Sequence, residues 1–177
     1  MVNKRIPFLI VIVIFLSGCE KLKDLTQFEI KNESNISIPG QNTGIGELLS
    51  IPRAEVQSSS EQSFRNNNTR ADLVEEAILE ELQLTITNPA DANFDFLNEI
   101  SIYISAEGEQ EVLVASKSNI AEDGSQSLQL ETTGVDLKPF IVKDHFSIRT
   151  AATTDQVIDE DVDIRVNMTF GVTAKVF

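Results

Sequence analysis

The sequence is poor in the residue types that carry most chemistry. Its 177 residues include one cysteine, one histidine, one tyrosine and no tryptophan. A lone histidine, His145, is too few for a histidine-based zinc site, and a Ser-His-acid triad would need it, with Ser127 or Ser147 as nucleophile by residue type only. The simpler interpretation is a surface histidine. Neither a Gly-x-Ser-x-Gly elbow nor a glycine-rich nucleotide motif is present. We therefore expect a protein that is not an enzyme and has no cofactor.

Positive charge is also scarce, because 14 Lys and Arg stand against 28 Asp and Glu, which gives a formal net charge of −14. Nucleic-acid binding depends on basic residues that neutralise phosphates, so we expect no nucleic-acid partner. The same balance opposes adsorption to anionic lipid. It is typical of a soluble exported domain, and an acidic site for a cationic partner is the alternative.

The densest acidic run contains Asp159, Asp161 and Asp163, whose alternate spacing offers the oxygen ligands that Ca²⁺ prefers. The calcium-binding helix-loop-helix template fails here, because Ile164 stands where glycine is needed and Phe170 where a bidentate glutamate is needed. We therefore predict no metal site and interpret the run as a charged loop. The three aspartates remain weak calcium candidates.

Long apolar runs are absent except for one of eleven residues, 6–16, which follows Lys4 and Arg5. It is too short to span a bilayer comfortably, and with its basic flank it predicts an export signal. Leu16, Ser17, Gly18 and Cys19 follow without interruption. This order of Leu, two small residues and Cys resembles the lipobox of bacterial lipoproteins.

The resemblance implies that the signal peptide, residues 1–18, is cut between Gly18 and Cys19, that the Cys19 thiol takes a diacylglycerol, and that the new amine is acylated with a fatty acid such as palmitate. Residues 19–24 would then form a lipidated tether. Glu20, in place of the Asp that retains related lipoproteins in the inner membrane, favours the outer membrane, on either the periplasmic face or the cell surface. The alternative is an ordinary secretory signal followed by a free thiol.

Removal of residues 1–18 takes away Lys4 and Arg5 but no acid, so the formal charge changes from −14 to −16. The remaining length suits a single domain, which we place at 25–177. Attachment to a membrane would then depend on the acyl chains alone.

Period-two alternation of apolar and polar residues predicts most of this domain to be β-strand. The strongest signal is at 162–176, where every second residue is apolar and Gly171 suggests a bulge or bend. The first predicted strand is at 25–31, with a continuation at 35–38, and another at 82–88 ends before Asn88-Pro89. The strands at 100–105 and from 112 onward form a predicted hairpin. Further strands are predicted at 127–131 and 145–150, and a helical turn within 134–141.

Two segments break this pattern. Residues 39–69 are rich in Pro, Gly, Ser and Asn, which predicts a long flexible loop. Thr69 and Asp72 match a helix start, and Val74, Ala77 and Ile78 fall at helical spacing, so we predict a short helix at about 70–80 with its glutamates in solvent. Taken together, the elements predict a mainly all-β fold, an antiparallel two-sheet β-sandwich that is immunoglobulin-like or similar.

The function expected from these observations is that of a non-enzymatic envelope lipoprotein whose sandwich binds or positions another envelope component, an envelope protein or another molecule of the envelope. Three alternatives stay open. The first is a carrier of an apolar ligand held between the sheets, against the faces of 100–104 and 166–170. The second is a structural subunit that assembles by strand addition after cleavage at Arg53, Arg65 or Arg70. The third is an enzyme with polar groups that converge in a cleft near His145 or near the acidic run.

Overall fold

The computed structural model describes residues 25–40, 46, 48–49 and 51–177. The predicted signal peptide 1–18, the cleavage site between Gly18 and Cys19, the lipidation of Cys19 and the tether 19–24 lie outside the described residues. They stay predictions.

The described chain forms two antiparallel sheets, which confirms the all-β two-sheet sandwich. The four-stranded sheet has the order β1-β9-β3-β6 and the five-stranded sheet the order β2-β8-β4-β5-β7. The strands are β1 Leu25–Ile38, β2 Ala54–Gln57, β3 Val74–Asn88, β4 Leu97–Ser105, β5 Val112–Ser118, β6 Ser127–Gln129, β7 Glu131–Thr132, β8 His145–Thr154 and β9 Val162–Lys175.

The core lies between the sheets and is aliphatic with a few phenylalanines. Every second residue of β9 from Val162 to Ala174 is buried, as the alternation predicts. Across the core, the ring of Phe170 meets the ring of Phe146 on β8 edge-on, with centroids 6.1 Å apart. The inward faces of the two sheets therefore pack directly on each other.

β9 pairs with β1 along its whole length, from Leu25 opposite Lys175 to Ile38 opposite Val162, without a register shift. The predicted continuation of the first strand through residue 38 is confirmed. The bulge suggested at Gly171 is wrong, because Gly171 lies in register with both neighbouring strands. An added Cβ there would overlap the side chain of Glu80 on β3, so the glycine makes room for a neighbour.

The helix predicted at about 70–80 is wrong. Residues 71–73 form one 3₁₀ turn, and β3 begins at Val74. Two β-bulges, at Val74/Glu76 and at Leu79/Glu81, each place an extra exposed glutamate in the strand. One extra residue turns a spacing of two into a spacing of three, so the buried residues of this strand imitate one face of a helix.

The loop predicted over residues 39–69 is wrong for its second half. β2 occupies Ala54–Gln57 and pairs with β8, and helix α1 occupies Ser60–Asn66. Phe64 of α1 is 4% exposed and meets the Phe28 ring edge-on at 6.2 Å. A single buried aromatic side chain thus anchors a helix that is otherwise polar.

The strand predicted at 127–131 is wrong as a single element, because the chain crosses at Leu130 from β6, which pairs with β3, to β7, which pairs with β5 in the other sheet. The other predicted strands and the helical turn are confirmed in outline. β3 ends at Asn88 before Pro89, β4 and β5 form the predicted hairpin, and helix α2 at Lys138–Ile141 is the predicted helical turn. Among the helices that the structure describes, none is long and apolar enough to span a bilayer.

Antiparallel strands collect their connections at two opposite ends. The Leu25 end holds the starts of β1, β3 and β8 with α1 and α2, and Thr69 Oγ1 donates a hydrogen bond there to the carbonyl of Lys175. The Asn88 end holds the connections 89–96, 119–126 and 155–161, which are joined by hydrogen bonds from Phe94 N to the Ser125 carbonyl (2.9 Å) and from Asp155 N to the Phe96 carbonyl (3.2 Å).

Candidate functional site

The predicted lipidation site is close in sequence to the folded domain. Five residues, 20–24, separate Cys19 from Leu25, where β1 begins. Six Cα steps of extended chain span about 20 Å at most. A lipid on Cys19 would therefore hold the Leu25 end of the sandwich near the bilayer.

The acidic run lies at the Asn88 end, in the connection from β8 to β9. Asp159 and Asp161 are exposed, and Asp163 lies within β9. Asp161 Oδ1 accepts a hydrogen bond from Gly40 N at 2.8 Å, so one of its oxygens already binds the chain. The described part of the chain contains no group of three or more His, Cys, Asp or Glu side chains placed to hold a metal ion, these three included.

His145 lies at the Leu25 end, at the first position of β8, and its side chain is exposed. A cavity of about 640 Å³ lies on one side of it, between α1, the 3₁₀ turn and residues 142–145. A second cavity of about 410 Å³ lies on its other side and also contains Ser147. The histidine therefore lies between two cavities, one of about 640 Å³ and one of about 410 Å³.

The larger cavity has an apolar floor and a charged rim. Phe64, Ala71 and Val142 contribute the apolar surface. Its basic side chains have acidic neighbours: the ion pairs are Arg65–Glu61 (3.2 Å), Arg70–Asp72 (2.7 Å) and Lys143–Glu109 (3.8 Å). Such exposed pairs contribute about 0–1 kcal/mol each. The rim is therefore close to neutral in charge and selects neither an anion nor a cation.

The geometry around His145 offers no assembled nucleophile and base. None of the hydrogen bonds between described residues involves the His145 side chain, and Ser127 lies on β6 in the other sheet. Ser147 lines the same cavity as His145, but no hydrogen bond between the described residues joins their side chains. A catalytic triad is therefore not formed by the residues that the sequence offered.

One polar cluster, around Glu111, was not predicted from the sequence. Arg149 donates three hydrogen bonds to the Glu111 carboxylate (2.7, 3.0 and 3.1 Å) and stacks over the Tyr103 ring at 4.0 Å, while Arg53 reaches the same carboxylate at 3.0 Å. The hydrogen bond from Arg149 lowers the pKa of Glu111, although partial burial opposes this, and the same bond raises the pKa of Arg149. The cluster's members come from β4, the β4–β5 connection, β8 and the residue before β2, so no contiguous sequence motif predicts the cluster.

A second ion pair joins β3 and β9 at the Leu25 end. Lys175 donates a hydrogen bond to Glu75, and this bond, together with the positive charge of Lys175, lowers the pKa of Glu75. Both side chains are about half exposed. The pair lies beside the bulge at Val74/Glu76 and links the two central strands of the four-stranded sheet.

The interior that an apolar-ligand carrier would use is occupied by side chains. Ile100, Ile102 and Ile104 are at most 1% exposed, and Val166, Met168 and Phe170 at most 2%. The cavities described above lie outside this region, and the described residues form two others, of about 470 and 330 Å³, at the outer face of the four-stranded sheet and at the Asn88 end. The carrier hypothesis gains no support from them.

β1 is the feature that bears on strand addition. It is an edge strand, and within the described chain its backbone ladder is with β9 alone. Ser59 covers part of the free edge, where its Oγ donates to the Lys31 carbonyl (2.9 Å) and to Asn32 Oδ1 (2.9 Å). Arg53 is exposed between β1 and β2, whereas Arg65 lies within α1.

Comparison with known proteins finds no matching family and only weak structural similarity. No family model matches the chain, and no curated protein matches it. Among solved structures, the decameric BFDV capsid protein is similar at 10% identity over 85% of this chain and 99% of its own, with a TM-score of 0.41. The arabinose-bound α-L-arabinofuranosidase MgGH51 is similar at 10% identity over 87% of this chain and 24% of its own, with a TM-score of 0.32. At these TM-scores neither likeness carries an argument about function.

Proposed function

We propose that this protein is a lipid-anchored, non-enzymatic lipoprotein of the outer membrane, on its periplasmic face or the cell surface, whose β-sandwich binds or positions another envelope component. The observation that carries the proposal is the sequence Leu16-Ser17-Gly18-Cys19 directly after a short apolar run. After five intervening residues, 20–24, β1 begins at Leu25. The order of export signal, lipid site and domain is that of a tethered protein.

The fold supports a domain that stands outside the bilayer. Its apolar side chains are mostly buried between the two sheets, and the formal charge of the whole chain is −14. Such a domain does not bind lipid through its bulk composition. Acyl chains contribute roughly 0.8 kcal/mol per buried CH₂, so two or three of them on Cys19 would hold it durably.

The contact surface for an envelope component would be provided by loops. The connections 89–96, 119–126 and 155–161 meet at the Asn88 end, opposite the predicted anchor. A tether at Leu25 leaves these loops accessible. Crosslinking in intact cells, followed by identification of the attached molecule, is the experiment that names the partner.

The anchor itself is tested by mass analysis of the protein purified from the membranes of its own cells. The expected product begins at Cys19 and carries the added mass of a diacylglycerol and an amide-linked fatty acid. The control is Cys19→Ser, which should remove that mass and the membrane association together. An unmodified thiol, or a retained leader in the wild-type protein, would overturn the proposal.

A second candidate function is that of a subunit assembled by strand addition, and the edge position of β1 favours it. Removal of β1 would leave the ladder groups of β9 open along fourteen residues, which is a template for a strand from another molecule. Cleavage after Arg53 should then produce polymers in the wild type and none in Arg53→Gln. Cleaved protein that stays monomeric with β1 retained would exclude this candidate.

A further inference from the structure

The Leu25 end carries an apolar corner that the fold leaves uncovered. Leu25, Val176 and Phe177 are 38%, 38% and 76% exposed, and they adjoin because Leu25 pairs with Lys175. The backbone N–H of Phe177 donates to the Asn68 carbonyl at 3.2 Å, which fixes the corner beside the start of β3. These three residues, called here the apolar corner, form half of the exposed large hydrophobic residues of the described chain.

Charge distinguishes this end from the opposite one. The connections 89–96, 119–126 and 155–161 at the Asn88 end contain eight acidic residues and no Lys, Arg or His. Beside the apolar corner, by contrast, Lys175 is paired with Glu75 and Arg70 with Asp72, and the exposed Glu76 adds one negative charge. An anionic lipid surface repels the Asn88 end much more strongly than the Leu25 end.

The predicted tether acts in the same direction. Six Cα steps, the number from Cys19 to Leu25, can span about 20 Å at most. The fourteen residues of β1 extend over about 45 Å, at roughly 3.3 Å per residue. A lipid on Cys19 therefore keeps the Leu25 end within reach of the bilayer and leaves the Asn88 end beyond it when the domain stands upright.

We propose that the apolar corner is a membrane-contact surface: Leu25, Val176 and Phe177 enter the interface of the bilayer that holds Cys19, and the sandwich stands with its acidic loops directed away. The occupant is the lipid surface itself, with apolar side chains at the level of the headgroups and Arg70 and Lys175 near lipid phosphates. This inference rests on the proposed anchoring, because the short tether selects the end that meets the membrane.

The test uses the mature lipidated protein, reconstituted into vesicles of phosphatidylethanolamine and phosphatidylglycerol that contain nitroxide-labelled lipids. Since the sulfur of Cys19 carries the diacylglycerol, single added cysteines take a fluorophore at three positions: Asp72 beside the apolar corner, Val157 at the Asn88 end and Asn35 on the free face of β1. We expect quenching at Asp72 and none at the other two. Equal quenching at Asp72 and Asn35 would show a domain lying on its side and would overturn the proposal.

A pair of variants isolates the side chains. With the label at Asp72, the change V176S/F177S should remove the quenching, whereas L48S/V157S, which alters two exposed hydrophobic residues outside the corner, should leave it unchanged. Loss of quenching in both variants, or in neither, would contradict the assignment. Circular dichroism establishes that each variant is folded.

Vesicle flotation separates this inference from the anchor on which it rests. Protein that does not float with the vesicles contradicts the lipid anchor. Protein that floats but shows no quenching at Asp72 contradicts only the membrane-contact surface, because the acyl chains then hold a domain that does not touch the bilayer.

Discussion

β9 and β3 are neighbours in the same sheet, similar in length, and buried on one face, yet their sequences read differently. β9 alternates without interruption from Val162 to Lys175, and its pairing with β1 has no shift. β3 alternates only in its second half, because bulges at Val74/Glu76 and Leu79/Glu81 insert extra residues. The difference shows that burial of one face does not require a strict period of two when a bulge takes up the extra residue.

The largest expected effect comes from deleting one residue from β9. Deletion of Thr169 from β9 moves four inward side chains, 162 to 168, to the solvent face, at about 1.5–3 kcal/mol each, or on the order of 6–12 kcal/mol in total. That is comparable with the whole stability of a typical domain, about 5–15 kcal/mol. We expect loss of the cooperative unfolding transition in urea.

Deletion of Glu80 from β3 is the matched control. It removes the extra residue of a bulge and leaves Leu79 opposite Phe170 and Glu81 opposite Thr169. We expect cooperative unfolding to be retained, with a change within about 1–2 kcal/mol. If the two deletions were equally destructive, the bulge would not be the device that absorbs the extra residue.

Truncation of core side chains should show that the two strands are equally important for packing. Phe170→Ala removes a ring that meets Phe146 and should destabilise the protein by about 3–5 kcal/mol, and Leu79→Ala, directly opposite on β3, by about 2–5 kcal/mol. Thr169→Ala on the solvent face should stay within about 0.5 kcal/mol. Urea titrations of the three variants measure this, and a small effect for Leu79→Ala alone would mean that the bulged strand packs less tightly.

A smaller effect is expected where the two strands touch on the solvent face. An added Cβ at Gly171 would overlap the Glu80 side chain, which is exposed and free to turn away. Gly171→Ala should therefore change the free energy of unfolding by less than about 1 kcal/mol, since the loss of backbone freedom in the unfolded chain favours alanine. In the Glu80→Ala background the same change should be more favourable. A double-mutant cycle with no coupling would contradict this contact.

The smallest effect concerns pH and the ion pair between the strands. The pKa of Glu75 is lowered by its hydrogen bond to Lys175, so the pair stabilises the folded state above the unfolded glutamate pKa of about 4.3 and loses this contribution as pH falls through the lowered value. Glu75→Gln should remove that part of the pH dependence and leave the neutral-pH transition cooperative. The free energy of unfolding of the wild type and of Glu75→Gln, measured between about pH 3 and about pH 7, tests this prediction. The same pH dependence in both proteins would contradict it.

Period-two alternation of the sequence was sufficient to predict β1 and β9, whose pairing with each other contains no bulge. The β4–β5 hairpin and the end of β3 at Pro89 follow from period two and from proline's missing N–H. The start of β3 could not be found in this way, because two adjacent glutamates give the same spacing in a bulge and in a helix. The neighbouring strand decides between them.

The candidate sites also differ in whether a single contiguous stretch of sequence defines them. The lipobox is a contiguous motif, so sequence alone proposes it, and it stays a prediction. α1 has one buried aromatic residue, Phe64, and its position depends on Phe28, which is distant in the chain. The cavities beside His145 and the Arg149–Glu111 cluster also need elements far apart in sequence. Contacts between residues so far apart in the chain cannot be predicted from the period or spacing of one stretch of sequence.

The sequence by itself determined the all-β class and most strand positions, because side-chain parity along an extended chain depends only on which residues are apolar. Tertiary structure alone decided the bulges of β3, the placement of β2 and α1, and the exposure of Leu25, Val176 and Phe177 at one end. Those features depend on which strand lies beside which, and pairing between distant segments is a property of the folded chain rather than of any local stretch.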